Sequence, residues 1–180
     1  MNTVFFDVDT QIDFVLPAGA LYVPGAELLV PQFARLNRYA AASGGKVVST
    51  ADAHAENDPE FRDWHPHCVK GALGQAKIRE TMLDSGAQIL IEKQALDCFS
   101  NPRLPGILAE LGAQRYVVYG VATEFCVRLA AMGLLASGAR VELVTDAVRA
   151  IDDAASERTF REFTAAGGVL TLADRVCSGL

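Results

Sequence analysis

Short apolar segments that suit β-strands alternate with helical patterns along the whole chain, and this alternation is the strongest constraint on the fold. Continuous apolar segments rich in β-branched residues are typical of parallel strands covered on both faces. The alternation therefore predicts an α/β fold: a single-domain three-layer α/β/α sandwich over residues 1–180, Rossmann-like, with a mostly parallel six-stranded sheet. The strand candidates are Thr3–Val8, Lys46–Thr50, Gln88–Glu92, Arg115–Tyr119, Arg140–Thr145 and Val169–Leu172.

Helical patterns fill the spaces between these strands, and each is followed by a glycine, the residue that best adopts the left-handed conformation at a helix end. The predicted helices are Leu29–Ser43, Ala76–Ser85, Pro105–Leu111, Phe125–Ser137 and Asp153–Ala166. One long irregular stretch, Ala51–Gly74, is rich in Asp, His, Pro and Gly. A loop of that length in a compact domain is usually functional or disordered. Its His and Trp content favours a functional role.

The composition argues against several function classes. The net charge is −6 and Lys and Arg form no cluster, which argues against nucleic-acid binding. The first apolar run lacks the basic flank of a signal peptide, and no apolar stretch is long enough to span a membrane. We therefore expect a cytoplasmic protein whose four cysteines are free thiols rather than disulfides.

Chemically active side chains follow the ends of four predicted strands. Asp9 ends the first, Asp52 follows the second, Lys93 ends the third, and the segment with Cys126 follows the fourth. In open parallel sheets, ligands bind beyond the carboxyl ends of the strands. We therefore expect these side chains to converge on one site.

Cys126 is the candidate nucleophile of that site. It lies near the start of a predicted helix, where backbone N–H groups and the helix dipole should lower a thiol pKa and could bind an oxyanion. Lys93 would supply a fixed cation beside the thiolate. The alternatives are a small inert buried cysteine and a solvated lysine at a strand end.

A carboxylate near the first strand is the candidate proton carrier. Acidic residues within an apolar strand are costly to bury, so at least one of them should face a polar site. With a raised pKa it would take the thiol proton and pass it to a leaving amine. Asp7, Asp9, Gln11 and Asp13 are spaced two residues apart, so they would face the same side of a strand, and spacing alone does not choose among them.

Asp52, His54 and His67 form a candidate metal-ligand set. One carboxylate and two imidazoles suit zinc, iron or manganese and leave positions open for water or substrate. The three histidines of the chain lie at positions 54, 65 and 67, so His65 is a competing ligand. Trp64, the only tryptophan, could stack on a flat ring or anchor the loop in the core.

Six ordered segments carry a family resemblance: Asp9-Thr10-Gln11-Ile12-Asp13-Phe14, Pro17-Ala18-Gly19-Ala20-Leu21, Val23-Pro24-Gly25, Thr50-Ala51-Asp52-Ala53-His54, His67-Cys68-Val69 with Gly71 and Gly74, and Gly120-Val121-Ala122-Thr123-Glu124-Phe125-Cys126-Val127. They resemble, in order and spacing, the isochorismatase-like cysteine hydrolases, and within them the nicotinamidases. The resemblance covers about residues 3 to 175, and Lys93 occupies the family lysine position.

The resemblance assigns roles to single residues. It implies a catalytic triad of Asp9, Lys93 and Cys126. It also implies a cis peptide between Val121 and Ala122, with the amides of Ala122 and Cys126 as the oxyanion hole. The implied ligands of one divalent metal ion, zinc first, are Asp52, His54 and His67. The aromatic residues implied to hold the substrate ring are Phe14 and Trp64.

The activity implied is metal-dependent hydrolysis of nicotinamide to nicotinate and ammonia through a thioester, in NAD salvage, by a homo-oligomer. Retention of Cys126 argues against true isochorismatases. Ala53, Ala55 and the loop Asp97–Ser100 depart from the nicotinamidase pattern. They leave open a related hydrolase of N-carbamoyl, ureido or other small amides. A non-catalytic metabolite-binding α/β domain is the third alternative.

Overall fold

The computed structural model describes residues 2–84 and 86–178, and within them six strands form one sheet in the order β3-β2-β1-β4-β5-β6. Every neighbouring pair is parallel. The predicted α/β class is therefore confirmed, and the sheet is parallel throughout rather than mostly so. The strands are β1 (Thr3–Val8), β2 (Lys46–Asp52), β3 (Gln88–Lys93), β4 (Arg115–Val121), β5 (Arg140–Arg149) and β6 (Val169–Thr171).

Helices cover both faces of the sheet and complete the three layers. Within the described residues they are α1 (Ile12–Val15), α2 (Val30–Ala42), α3 (Leu104–Leu111), α4 (Arg128–Ala136), α5 (Asp153–Ala165) and α6 (Ala173–Cys177). One apolar core joins α2 and α6 to the sheet, and a second joins α3, α4 and α5 to the opposite face. Phe5 and Phe6 of β1 enter these two cores respectively, as strand alternation requires. Every described helix is too short or too polar to cross a lipid bilayer.

The predicted helix Ala76–Ser85 is wrong. The segment contains a 3-10 turn at Arg79–Thr81 instead, and Ser85 lies outside the described residues. Its backbone groups bond to the chain after β1: Ile78 donates its N–H to the Thr10 carbonyl at 2.8 Å, and an antiparallel bridge joins the same two segments. A helix here would lose these tertiary bonds, which local propensity does not reveal.

The other predicted elements are present: β1 has the predicted bounds, and the others have shifted ends. The strand β5 continues to Arg149 because a register shift in its pairing with β4 lets it pair again beyond the irregularity. The predicted helix from Phe125 begins as a π-helical turn, Thr123–Val127, before α4. The short helices α1 and α6 were not predicted. The strand order reverses between β1 and β4, where open α/β sheets bind ligands.

Candidate active site

Asp9 directly follows β1 in an unusual backbone conformation. Its φ is +48°, in the left-handed region that residues other than glycine seldom adopt. Thr50 of β2 holds it there: the Asp9 N–H donates to the Thr50 carbonyl at 3.3 Å, and the Thr50 hydroxyl donates to Asp9 Oδ1 at 2.7 Å. The carboxylate is fully buried. The backbone thus turns out of the strand at Asp9, and the Asp9 side chain lies towards the ends of β3 and β4.

Lys93 ends β3 and is the centre of the site. Its buried Nζ lies 2.9 Å from Asp9 Oδ2, donates to Asp52 Oδ1, and lies 3.5 Å from Cys126 Sγ. Burial alone would lower the pKa of Lys93, but Asp9, Cys126 and Asp52 raise it well above its ordinary value. The lysine is therefore charged, and one cation contacts two carboxylates and the sulfur.

Cys126 lies in the π-helical turn after β4 and is almost entirely buried. Such turns often mark functional sites. Burial raises the pKa of the thiol; Lys93 lowers it, and Asp9 and Asp52 raise it further, so the net value is well above the ordinary one. The predicted lowering of the thiol pKa is therefore wrong. The thiol keeps its proton at rest and needs a base beside it.

Asp9 has the properties of that base. Burial raises its pKa, Lys93 lowers it, and the charge of Asp52 raises it again, with a net increase. Its Oδ2 contacts Lys93 and has no other hydrogen-bond donor. Oxygen atoms of Asp9 and Asp52 and the sulfur of Cys126 lie within 4.8 Å of one another. Asp9 Oδ2 can therefore accept the thiol proton.

The three predicted metal ligands also come together. Side-chain atoms of Asp52, His54 and His67 lie within 4.8 Å of one another, and Asp52 Oδ2 is 3.7 Å from Nε2 of each histidine. Burial opposes ionisation of Asp52, but Lys93 and the two histidines lower its pKa, which leaves an anionic ligand. Nε2 of the buried His54 has no hydrogen-bond partner, while its Nδ1 lies close to Asp58. A buried polar atom without a partner is costly, so this donor set fits a cation.

Neighbouring groups orient the two imidazoles. His67 Nδ1 lies 2.7 Å from the His65 carbonyl, and His54 Nδ1 lies 3.1 Å from Asp58 Oδ2. Both Nε2 atoms are thus directed at Asp52, as is usual for histidines that bind metals. His65 contributes its carbonyl, while its exposed ring is not part of the ligand cluster found among the described residues. Glu60 Oε1 lies 3.9 Å from His67 Nε2.

A largely apolar pocket opens onto Cys126. The peptide between Val121 and Ala122 is cis, and both residues line this pocket. Phe14 and Trp64 line it too, and Trp64 meets Phe125 edge to face with ring centroids 5.2 Å apart. The structure therefore brings all of the predicted site residues to one place. The other lining residues are Leu21, Val23, Asp52, Glu60, His67, Leu96, Phe125, Cys126 and Ile151.

Thr50 was not singled out from the sequence as a site residue, and the sequence left open whether Glu60, with the other acidic residues at 56–60, joins the metal shell. Thr50 lies within β2, where its hydroxyl is one of several buried polar groups without a distinctive spacing. Glu60 belongs to a run of exposed or half-buried polar residues, and its proximity to His67 follows from the path of the loop. The one feature of the sequence that could have indicated a role for Thr50 is its position in the strand that neighbours β1.

The isochorismatase domain, as a family model, matches residues 3–175. The chain belongs to this family. It is 27% identical to the nicotinamidase of Escherichia coli, over 93% of each protein. It superposes on the pyrazinamidase of Pyrococcus horikoshii in complex with zinc with a TM-score of 0.89 and 32% identity, over 96% of this chain and 99% of the other.

A second solved relative carries a different name. The N-carbamoylsarcosine amidase of Thermoplasma acidophilum gives a TM-score of 0.85 and 30% identity, over 97% of this chain and 98% of the other. The predicted membership of the isochorismatase-like hydrolases, with nicotinamidases among the relatives, is therefore confirmed.

Proposed function

We propose that this protein hydrolyses nicotinamide, or a closely similar aromatic amide, to the carboxylate and ammonia with Cys126 as nucleophile. The observation that carries the proposal is the contact of one buried ammonium, Lys93, with the carboxylates of Asp9 and Asp52 and the sulfur of Cys126. The predicted enzyme class, a hydrolase of carbon–nitrogen bonds in linear amides, is confirmed by the relatives. The residue roles and the substrate are our proposal.

Proton transfer and attack are coupled in the first half of the reaction. Asp9 Oδ2 takes the proton of the Cys126 thiol while the sulfur attacks the amide carbonyl, and Lys93 stabilises the developing thiolate. The raised thiol pKa makes this transfer necessary, because a free thiolate would be scarce. The oxyanion of the tetrahedral intermediate would be bound by the amides of Ala122 and Cys126.

Collapse of this intermediate breaks the carbon–nitrogen bond. Asp9 returns the proton to the departing nitrogen, ammonia leaves, and the acyl group remains on Cys126 as a thioester. In the second half, Asp9 takes a proton from water as the water attacks the thioester carbonyl. The carbon–sulfur bond then breaks, the carboxylate product leaves, and the thiol regains its proton.

Asp52, His54 and His67 would hold one divalent ion, zinc first, with iron or manganese as alternatives. Bound there, the ion would act as a Lewis acid that receives a ring nitrogen of the substrate. The two imidazoles hold their Nε2 atoms towards Asp52, while the aromatic walls exclude water from the ring. The substrate ring and the substrate amide would therefore be bound by separate sets of residues.

The charges of the pocket favour a neutral substrate. Among its lining residues in the described part of the chain, Asp52 and Glu60 are acidic and none is Lys or Arg. Apart from the proposed metal ion, a substrate with its own carboxylate would find no cation in this lining to pair with it. The loop Asp97–Ser100, whose sequence motivated the N-carbamoyl alternative, does not contribute to this lining. An N-carbamoyl or ureido substrate is the second candidate, supported by the likeness to N-carbamoylsarcosine amidase.

A screen of ammonia release by the zinc-loaded protein tests the proposal. The substrates are nicotinamide, pyrazinamide, benzamide, which lacks a ring nitrogen, and N-carbamoylsarcosine. We expect nicotinamide to react at least about 10-fold faster than benzamide or N-carbamoylsarcosine. Cys126→Ala should abolish release, while Cys177→Ala, which removes a thiol that does not line the pocket, should retain it.

Metal removal provides a second arm of the same experiment. Dialysis against a chelator should lower turnover of nicotinamide, and added zinc should restore it, with elemental analysis to show the metal content. A folded, zinc-loaded preparation that releases no ammonia from nicotinamide or pyrazinamide would refute the proposal. Faster release from N-carbamoylsarcosine than from nicotinamide would establish the second candidate.

A further inference from the structure

The carboxylate of Asp13 takes no part in the chemistry above, yet it joins the two loops that build the pocket. Its Oδ1 accepts the N–H of Ala20 at 3.0 Å, and its Oδ2 accepts the N–H of Cys68 at 2.7 Å. Ala20 precedes Leu21, which lines the pocket, and Cys68 follows His67, which belongs to the ligand cluster. One side chain thus fixes the backbone beside a substrate wall and beside a proposed metal ligand.

The backbone around Asp13 strengthens the first of these links. The Asp13 carbonyl accepts the N–H of Leu21 at 3.1 Å, and the Phe14 carbonyl accepts the N–H of Val23 at 2.8 Å. Phe14, Leu21 and Val23 all line the pocket. The short helix α1 and the following loop are therefore bonded together as one wall, with the Asp13 carboxylate at its edge.

The second link holds an unusual backbone conformation. Cys68 has a φ of +46°, in the left-handed region, although it carries a side chain. Its N–H points to Asp13 Oδ2, so the carboxylate stabilises the turn that places His67. A Cβ atom at Gly74 would lie 2.1 Å from the same Oδ2. The absence of a side chain at position 74 therefore leaves the space that the Asp13 carboxylate occupies.

We propose that Asp13 is a positioning residue that sets the metal ligand His67 and the wall of Phe14, Leu21 and Val23 at the same time. This inference rests on the proposed function, because it treats His67 as a ligand and the wall as a substrate contact. It goes beyond that function by coupling metal affinity to substrate fit through one carboxylate. Asp13 acts through the two loops and does not touch the reacting atoms.

Asp13→Asn tests the coupling with little change in volume. The amide keeps one acceptor oxygen, but its NH₂ group must face one of the two backbone N–H groups, so one bond is lost directly. If Asp13 couples the two loops, the loop that keeps its bond must loosen together with the other. We expect zinc affinity, measured by competition with a chromophoric chelator, to fall about 10-fold to 100-fold. The KM for nicotinamide should rise more than kcat falls, because the change acts on the pocket rather than on Cys126.

Asp146→Asn is the matched control. Asp146 is another half-buried carboxylate that joins two segments: Oδ1 accepts the Ala173 N–H at 2.8 Å, and Oδ2 accepts from Gln32 Nε2 at 3.3 Å. None of these three residues lines the pocket. Its substitution should lower stability to a similar extent, while zinc affinity and KM stay within about twofold of the wild type.

Hydrogen exchange gives a readout that needs neither metal nor turnover. In Asp13→Asn, peptides covering residues 17–25 and 66–74 should lose protection together, whereas Asp146→Asn should leave both unchanged. Gly74→Ala is the second variant, because the added methyl displaces the Asp13 carboxylate from Cys68 while the charge remains. Should Asp13→Asn fail to fold, Gly74→Ala must show the weaker zinc binding for the proposal to stand.

Two results would overturn the proposal. The first is a folded Asp13→Asn protein that binds zinc within twofold of the wild type and exchanges like it. The second is a loss of protection confined to one of the two loops. Failure of the proposed function is distinguishable, since a wild-type protein that binds zinc but releases no ammonia leaves the affinity and exchange comparisons intact.

Discussion

Two buried Asp–Lys pairs lie at the end of the same strand, and they differ in how fully their carboxylates are bonded. Asp7 pairs with Lys77 at 3.2 Å, and Asp9 pairs with Lys93 at 2.9 Å. Both oxygens of Asp7 accept hydrogen bonds. The further donors to it are the hydroxyls of Thr10 at 2.8 Å and Ser49 at 3.0 Å and the amide of Asn37 at 3.1 Å.

The second pair is incomplete by comparison. Thr50 donates to Oδ1 of Asp9, but Oδ2 has no donor other than Lys93, which divides its contacts among Asp9, Asp52 and Cys126. Burial and charge are common to both pairs, so neither property alone marks a catalytic residue. An acceptor without a further donor, close to a thiol, distinguishes the pair that we propose to be reactive from the structural one.

The largest expected effect is the difference in activity between substitutions of Asp9 and of Asp7. Asp9→Asn removes the base, so kcat/KM for nicotinamide should fall about 10³-fold or more while the protein stays folded. Asp7→Asn, as the control, should cost stability and leave turnover per folded molecule within about 10-fold. Ammonia release and circular dichroism check both. A loss of less than 10-fold in Asp9→Asn would remove Asp9 from the mechanism.

The next largest effect is on stability and concerns Lys77. Lys77→Met leaves the Asp7 carboxylate buried without its cation, which should lower the free energy of unfolding by about 3–5 kcal/mol. Guanidinium chloride unfolding measures this change. Lys70→Met, at an exposed pair with Glu92, should cost less than about 1 kcal/mol. If Lys77→Met abolishes turnover in molecules that remain folded, the Asp7–Lys77 pair is not purely structural and the distinction between the two pairs is wrong.

A smaller effect is expected at the hydroxyl that bonds Asp9. Thr50→Val should lower kcat/KM about 10-fold by removing the hydrogen bond to Oδ1. That bond lowers the pKa of Asp9, so its loss raises the pKa further. Since the base acts in its ionised form, the acidic limb of the pH profile of kcat/KM should move to higher pH. A rate loss with an unmoved limb would contradict the assignment of Asp9.

The smallest effect is expected at the corresponding hydroxyl of the structural pair. Thr10 donates to Asp7 Oδ1 and also lies 3.2 Å from Thr81 Oγ1. Thr10→Val should lower the free energy of unfolding by about 1–2 kcal/mol and leave the acidic limb of the pH profile in place. Thermal unfolding and the same profile check this outcome. A shifted limb would mean that the two carboxylates are coupled.

The two-residue spacing of Asp7, Asp9, Gln11 and Asp13 could not show which of them is the proton carrier, and the structure shows why. Asp9 has a φ of +48°, which breaks the alternation that this spacing assumes. Gln11 bonds the backbone of Asp52 through both ends of its amide, at 2.7 and 2.8 Å. Each polar residue thus has its own role, which periodicity in a single sequence does not encode. The assignment of Asp9 came from the family motif.

The sheet was predictable because each strand carries its own apolar pattern and because parallel strands share one functional edge. Two predictions failed where a distant segment decides the outcome. The segment 76–85 bonds to the chain after β1 rather than to itself. The thiol pKa is raised by burial and by two carboxylates from other strands, which the sequence around Cys126 does not reveal.

The sheet order also sets when the protein can become active during its synthesis. The strand β1 pairs with β2 and with β4, so the residues after it acquire their second neighbour only once the fourth strand is available. Such long-range parallel pairing forms slowly compared with local helices. A nascent chain that still lacks β4 contains the proposed base, Asp9, but not the proposed nucleophile, Cys126, which follows β4. Catalytic activity should therefore appear abruptly, late in translation, and indicate that folding is complete.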